Sequence, residues 1–112
     1  MKYTTDTLIK SSEQEWEEVG PGIRRKITGY NDDLMMVLVQ FEEGGIGEAH
    51  SHVHSQSTYV ASGVFEVTID GKMKLLQQGD CFLAPPNQVH GVVCKAAGLL
   101  IDVFNPIRED FL

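Results

Sequence analysis

Short segments rich in β-branched and aromatic residues follow one another along most of the chain. Gly, Asn, Asp and Pro separate them at spacings of roughly eight to twelve residues, which is typical of β-sandwiches and barrels. This pattern predicts an all-β fold. The predicted strands are 23–29, 34–41, 57–61, 63–70, 72–77, 80–84, 90–94 and 98–104.

The clearest local pattern is a hairpin in GVFEVTIDGKMKLL, residues 63–76. Asp70 and Gly71 supply the two positive-φ positions of a type I′ turn between two strands. Near the start of the chain, Ser12 and Glu15 precede Trp16 in the pattern of a capping box. We therefore expect one short helical turn there, ended by the GPG sequence at 20–22.

Two of the predicted strands are apolar on both faces. They are LMMVLVQF at 34–41 and GLLIDVF at 98–104. A strand with this pattern is usually covered on its outer face as well, so a second sheet or a partner subunit is expected over these two.

The composition is that of a globular domain, with 112 residues of which 42% are apolar. We therefore expect one domain spanning residues 1–112. The formal charge of -7 disfavours nucleic acid and anionic membranes as partners, because their phosphates would be repelled. The first ten residues lack the long apolar stretch of a signal peptide, and no apolar run of about 18 residues follows, so a soluble cytoplasmic protein is expected.

Basic residues and cysteines are few. Arg24, Arg25 and Lys26 form the one basic run, which we interpret as an exposed strand face. Cys81 and Cys94 each lie in an apolar stretch without C-x-x-C spacing. Buried, reduced thiols are expected at both positions rather than a disulfide.

Three of the four histidines fall within GEAHSHVHSQ, residues 47–56. In an extended segment His50, His52, His54 and Gln56 share one face. Imidazoles crowded together need partners for their ring nitrogens, and a divalent metal ion such as Zn, Ni, Fe, Mn or Co meets that need. The alternative is a histidine-rich surface loop. Alternation alone does not say which of the four residues bind.

Two longer motifs accompany this cluster. The first reads G-x5-H-x-H-x3-Q-x6-G from residue 44 to 63, and the second reads G-x5-P-x-N-x2-H-x3-C from 79 to 94. Together they resemble the two signature motifs of the cupin superfamily. The resemblance implies a double-stranded β-helix, or jelly-roll barrel, with a short N-terminal extension. It also implies that His50, His52, Gln56 and His90 bind one divalent transition metal ion, with His54 in the bend between ligands.

The amide at position 56 departs from the Glu of many cupins. A site of three imidazoles and an amide holds no carboxylate to neutralise the ion, which favours Lewis-acid chemistry. It also lacks the two-histidine, one-carboxylate triad of most non-haem iron oxygenases.

A carboxylate interrupts the apolar strand in the final segment, GLLIDVFNPIREDFL. Asp102 shares a face with Leu100 and Phe104, and burial there is costly unless the group is paired. It is either bonded to backbone amides at a barrel mouth or an acid/base with a shifted pKa. Pro106 turns the chain so that Arg108 can reach the same mouth and grip a substrate carboxylate; the alternative is a surface ion pair with Glu109 or Asp110.

The chain from residue 22 to 52, PPNQVHGVVC at 85–94 and the final segment resemble the small pectin-degradation cupins of the KdgF type. The resemblance implies ring opening of 4,5-unsaturated uronate monosaccharides, a homodimer, and catalytic roles for Asp102, Phe104 and Arg108. The substrate would be a small sugar acid. Alternatives are another metal-dependent cupin enzyme, such as a sugar-acid isomerase or epimerase or a three-histidine dioxygenase, and a non-catalytic metal- or sugar-binding module.

Overall fold

Eight β-strands account for most of the computed structural model, which describes residues 3–112. The helical segments among the described residues are two short 3-10 turns, Ser11–Glu13 and Glu109–Phe111. The all-β prediction is therefore confirmed. The strands are β1 Glu17–Gly20, β2 Ile23–Tyr30, β3 Met35–Phe41, β4 Ile46–His50, β5 Ser55–Ile69, β6 Lys72–Gln77, β7 Cys81–Ala84 and β8 His90–Asn105.

The strands pair antiparallel in the order β1-β2-β3-β8-β5-β6, with β4 paired to β8 and β7 paired to β5. Strands β5 and β8 are the longest and pair with each other from Ser55 opposite Asn105 to Ile69 opposite His90. On its other edge each of these strands pairs with two shorter strands in turn. The first part of β8 pairs with β4 and the last part with β3, and the first part of β5 pairs with β7 and the last part with β6. This pairing gives the jelly-roll barrel.

The sequence pattern divided β5 and β8 into two strands each, whereas the structure has one continuous strand in both places. The division follows a real irregularity, because the β5–β8 register shifts around Ser62 and Val64. Gly63 has φ 85° there, and a Cβ built at Gly98 would overlap the carbonyl oxygen of Ser62. The two backbones approach too closely for side chains, so the strands bend without ending.

The predicted hairpin is present. Strand β5 ends at Ile69 and β6 begins at Lys72, and the two residues between them, Asp70 and Gly71, have φ 50° and 77°. These positive values at both central positions are those of a type I′ turn.

The expected short helical turn is present as the 3-10 turn Ser11–Glu13, but the capping box at Ser12 and Glu15 was wrong. Lys10 and not Ser12 precedes the turn, and it makes no side-chain hydrogen bond to it. The turn is also not ended by GPG, since β1 lies between them.

Two further predictions about side-chain burial were wrong. Lys26 is not on an exposed face: its residue surface is only 6% exposed, and Nζ donates to the carbonyl oxygen and Oγ of Ser11 at 2.9 and 3.1 Å. Cys81 is exposed on β7, whereas Cys94 is buried as expected. The exposure of Cys81 follows from the alternation of β7, in which Cys81 and Leu83 point outward while Phe82 and Ala84 point inward. Both thiols are free.

The barrel interior holds two groups of buried apolar side chains. The larger fills the middle, and the smaller lies where β3 meets the end of β8. The larger group is Ile23, Phe41, Val60, Phe65, Val67, Phe82, Val92, Cys94 and Leu100, and the smaller is Met35, Val37, Phe104 and Ile107.

Outward residues of β3 are partly uncovered in the single chain, with Met36 40% exposed, so residues 3–112 supply no second sheet over them. Within the same residues there is no helix long and apolar enough to cross a membrane.

Candidate metal centre

Three histidines converge at one end of the barrel, where His50 is exposed, His52 is partly buried and His90 is buried. His50 ends β4 and pairs in register with His90, the first residue of β8, while His52 lies in the segment between β4 and β5. Their ligand atoms all lie within 4.8 Å of one another. The barrel thus brings residues 40 positions apart into one group that can hold a metal ion.

Backbone carbonyls fix which ring nitrogen of each imidazole faces this group. The Nδ1 atom of His50 lies 2.8 Å from the carbonyl oxygen of Glu48, and that of His90 lies 3.0 Å from the carbonyl oxygen of Gln88. Nδ1 of His52 is 3.0 Å from the carbonyl oxygen of His54. A carbonyl oxygen can only accept, so each Nδ1 carries the proton. Each Nε2 then offers a lone pair, which is the usual arrangement of histidines that bind metals.

His90 gives the clearest sign of a missing partner. Its Nε2 is buried and makes no hydrogen bond within the described residues. Burial lowers the pKa of His90, outweighing the raising effect of the Gln88 carbonyl, so the ring is neutral at physiological pH. An unpaired buried acceptor costs about 1–3 kcal/mol, a penalty that a bound cation would remove.

Gln56, near the start of β5, brings its side-chain amide to the three-histidine group. Its side-chain Nε2 donates to Oγ1 of Thr58 at 2.9 Å and more weakly to Oδ1 of Asp102 at 3.3 Å. These bonds turn its Oε1 toward His52, whose Nε2 is 3.0 Å away. In the tautomer fixed above both atoms are acceptors. Ligand atoms about 2.1 Å from one ion lie roughly 3 Å apart, so this spacing fits two atoms that bind one cation.

The donor set therefore fits one divalent transition metal ion: three imidazoles and an amide oxygen, all neutral. A cavity of about 110 Å³ adjoins these side chains. It is lined by Val39, Phe41, Gly47, His50, Gln56, Phe82, His90, Gly91, Val92, Leu100 and Asp102.

Asp102 lies in the wall of this cavity, where β8 pairs with Thr58 on one side and Val37 on the other. Oγ1 of Thr58 donates to its Oδ1 at 2.6 Å. Burial raises the pKa of Asp102 to about 6, against the lowering effects of the Thr58 bond, the Arg108 charge and the Gln56 bond. The residue surface is partly accessible at the cavity, but protein atoms enclose the carboxyl group. Its hydrogen bonds come from the side chains of Thr58 and Gln56. The alternative in which Asp102 is bonded to backbone amides at the barrel mouth was therefore wrong.

Thr58 is the residue that sequence reasoning missed. It is fully buried and joins Gln56 to Asp102 through its hydroxyl group. One signal was available: Thr58 shares the inward parity of Gln56 and interrupts an apolar face before Val60. Its partnership with Asp102, 44 residues away, follows only from the β5–β8 register.

Phe104 and Arg108 lie beside the histidines. The ring of Phe104 is 2% exposed and stands 5.8 Å from the ring of His52, edge to face. The guanidinium carbon of Arg108 lies 5.0 Å from the Phe104 centroid. Arg108 does pair with Asp110, as one alternative predicted, but it is only 8% exposed and is not an ordinary surface residue.

His54 stands next to the three-histidine group and is not part of it. Its ring is 5.4 Å from that of His52 and 6.5 Å from that of Phe104. Burial, followed by the charges of Arg108 and His52, lowers its pKa. It is thus a neighbour of the candidate ligand His52, and it is close enough to Arg108 for that charge to act on it.

Comparison with known proteins agrees with this architecture. Residues 37–104, more than half of the chain, match the Cupin domain family. The chain belongs to the cupin family. This cupin is 52% identical over 102 residues to the Pectin degradation protein KdgF of Dickeya dadantii (strain 3937), covering 89% of this chain and 93% of that protein.

Solved structures give the same result. An RmlC-like cupin from Shewanella frigidimarina NCIMB 400 superimposes with a TM-score of 0.95 at 42% identity, covering 97% of this cupin and 98% of that chain. KdgF from Halomonas sp. superimposes with a TM-score of 0.92 at 42% identity, covering 96% and 100%. The resemblance to cupins of the KdgF type, stated above from the motifs, is confirmed.

Proposed function

We propose that this cupin opens the ring of 4,5-unsaturated uronate monosaccharides, the products of pectin and alginate breakdown, to give linear 5-keto-4-deoxyuronate. The observation that carries the proposal is an enclosed carboxyl group, Asp102, hydrogen-bonded to Gln56 in the wall of the three-histidine site. The 52% identity to a protein named for pectin degradation supports the choice of substrate.

We further propose that His50, His52, Gln56 and His90 hold one divalent transition metal ion, with Ni, Zn, Fe, Mn and Co as the candidates. When bound, the ion supplies Lewis-acid stabilisation of negative charge on the sugar oxygens. Because all four groups are neutral, none of the proposed ligands compensates the charge of the cation. The geometry supports this set through the three paired Nδ1 atoms and the unpartnered Nε2 of His90.

The reaction needs proton movement and no change of oxidation state overall. The substrate is a cyclic hemiacetal whose ring oxygen is attached to the C4=C5 alkene. Loss of the proton from the C1 hydroxyl breaks the bond between C1 and the ring oxygen, which leaves an aldehyde at C1 and an enolate at C5. A proton delivered to C4 then gives the 5-keto group. One proton leaves and one is added, so no hydride acceptor or organic cofactor is required.

Asp102 is the proposed proton carrier. Its Oδ1 is occupied by the hydrogen bonds from Thr58 and Gln56, which leaves Oδ2 to take and return the proton. A carboxyl group with a pKa of about 6 can act in both directions near neutral pH.

Arg108 and Phe104 are the proposed substrate-holding residues. The guanidinium can pair with the planar uronate carboxylate through two parallel hydrogen bonds. The Phe104 ring, which contacts both Arg108 and His52, would pack against the sugar and limit the entry of water.

Linearisation of lyase-generated unsaturated galacturonate, followed by NMR, tests this function. We expect linearisation to be faster with the protein than in buffer, a chelator to remove this rate enhancement, and a divalent metal to restore it.

The Asp102→Asn variant should lose at least about 100-fold in kcat while retaining the metal content of the parent. Oxygen uptake in the same mixtures tests for dioxygenase chemistry. A parent protein no faster than buffer under all these conditions would rule the proposal out.

We also propose that the protein is a cytoplasmic homodimer. The register aligns Met36, Val103, Ser57 and Leu83 in one outward row across β3, β8, β5 and β7. Leu83 is 62% exposed in the single chain. A second copy of the chain would cover this row, as the apolar outer faces of β3 and β8 led us to expect.

A further inference from the structure

The ring of Phe111 contacts two guanidinium groups. It lies in the second 3-10 turn, with its centroid 4.1 Å from the guanidinium carbon of Arg108 and 4.0 Å from that of Arg25. Attraction between a cation and an aromatic face stabilises such contacts, and more strongly when the groups are shielded from water. Arg25, Phe111 and Arg108, here called the arginine–phenylalanine bridge, thus join strand β2 to the residue proposed to hold the substrate carboxylate.

Arg108 is restrained on its edge as well as on its face. Nε and Nη2 donate to the two carboxylate oxygens of Asp110 at 3.0 and 2.8 Å. Since this pair occupies one edge of the guanidinium, the edge formed by Nη1 and the second hydrogen of Nη2 stays available for another carboxylate. Arg108 is also close enough to Asp102 for its charge to act on that carboxyl group.

The far end of the bridge is anchored in the outer strands. Arg25 lies opposite Glu17 in the β1–β2 register, and its Nε donates to Oε1 of that residue at 2.7 Å. The Phe111 ring also packs edge to face against Phe104, with centroids 5.8 Å apart. The Arg108 guanidinium therefore contacts two aromatic rings, Phe104 and Phe111, and one carboxylate, Asp110.

We propose that Phe111 and Arg25 are positioning residues that hold the plane of the Arg108 guanidinium ready for the substrate carboxylate. This inference rests on the proposed function. A guanidinium on a flexible stem loses rotamer entropy when it binds an anion, and a pre-formed stack removes part of that cost. Neither residue touches the reacting atoms, so their loss should weaken substrate binding more than it slows the chemical step.

Steady-state kinetics on the metal-loaded protein tests the proposal. Phe111→Leu keeps the apolar bulk and removes the aromatic face, and it should raise KM about three- to tenfold with kcat changed by less than about twofold. Phe111→Tyr should restore the parent KM. Arg25→Gln should raise KM in the same direction. Arg24→Gln is the matched control, because Arg24 stacks on Trp16, at 4.5 Å, and not on Phe111.

A second measurement does not depend on turnover. The sequence contains three arginines, Arg24, Arg25 and Arg108, so the Nε–H signals of protein labelled with 15N-arginine can be assigned by substitution. We expect the Arg108 Nε–H to exchange slowly in the parent and in Phe111→Tyr, and several-fold faster in Phe111→Leu. Unchanged exchange in Phe111→Leu would overturn the positioning role, whether or not the protein opens uronates. Absence of turnover in the parent with altered exchange in Phe111→Leu would overturn only the proposed function.

Discussion

A single hydroxyl group sets the orientation of two side chains at the candidate site. The amide nitrogen of Gln56 must donate away from the histidines if its oxygen is to face them, and the carboxylate of Asp102 must accept. Only a group that accepts and donates can stand between them, and the Thr58 hydroxyl does both, at 2.9 and 2.6 Å. Thr58 thus links the ligand side and the proton-carrying side of the site, in addition to the longer direct bond from Gln56 to Asp102.

Replacing Thr58 by valine should separate these effects from packing, because the two side chains have similar shapes. We expect Thr58→Val to lower the free energy of unfolding by about 1–3 kcal/mol, since two buried polar groups lose a partner. We also expect the uronate-opening kcat to fall by about tenfold or more, because Gln56 and Asp102 lose their shared restraint. Urea unfolding and NMR-monitored turnover measure these two quantities. Thr58→Ser keeps the hydroxyl and is the control; equal values for all three proteins would contradict the role assigned to Thr58.

Strands β5 and β8 place four side chains of the candidate site on one face, because side chains along a strand alternate between inward and outward. Gln56 and Thr58 face inward on β5, and Asp102 and Phe104 face inward on β8, directly opposite in the register. A slip of one residue would turn all four outward. The close contact of Gly63 and Gly98 lies near the bend of the same two strands and helps to fix that register.

The Gly98→Ala variant tests this contact. The added Cβ would overlap the carbonyl oxygen of Ser62 and crowd the Cα of Gly63, so the strands must separate. We expect a loss of about 1–3 kcal/mol or more in the free energy of unfolding, measured with urea. Gly20→Ala provides the control, because the nearest atom to its added Cβ is 4.0 Å away on Ile23. Equal stability of the two variants would show that the close approach does not fix the strands.

Alternation and turn residues could predict the elements whose conformation is set by nearby residues, such as the hairpin at Asp70 and Gly71. Strands β1 and β4 were missed because EEVG and IGEAH are short and largely exposed, and they are extended only by pairing with β2 and β8. Motif spacing indicated the histidines. The hydrogen bonds of Thr58, and the contacts of Phe111 with Arg25 and Arg108, depend on distant register and could not be read from local sequence.

At the scale of the whole molecule, net charge works against an anionic substrate. The chain has a formal charge of -7, so the long-range field does not attract a uronate. Capture must depend on local positive charge, for which the buried Arg108 and a bound cation are the candidates. Substrate binding should therefore depend on how firmly Arg108 is held. It should also depend on metal loading, as the chemical step does.

Metal loading should also stabilise the barrel as a whole, because the candidate ligands come from β4, β5, β8 and the segment between β4 and β5. An ion that binds only the folded chain stabilises it by about 2.7 kcal/mol at 100 times its dissociation constant. We therefore expect a divalent metal to raise the Tm of chelator-treated protein by several degrees. His90→Ala should abolish most of this rise by removing a buried ligand, whereas His54→Ala should retain it because His54 lies outside the three-histidine group. Differential scanning calorimetry measures both responses, and the same rise in His90→Ala as in the parent would show that the ion binds elsewhere.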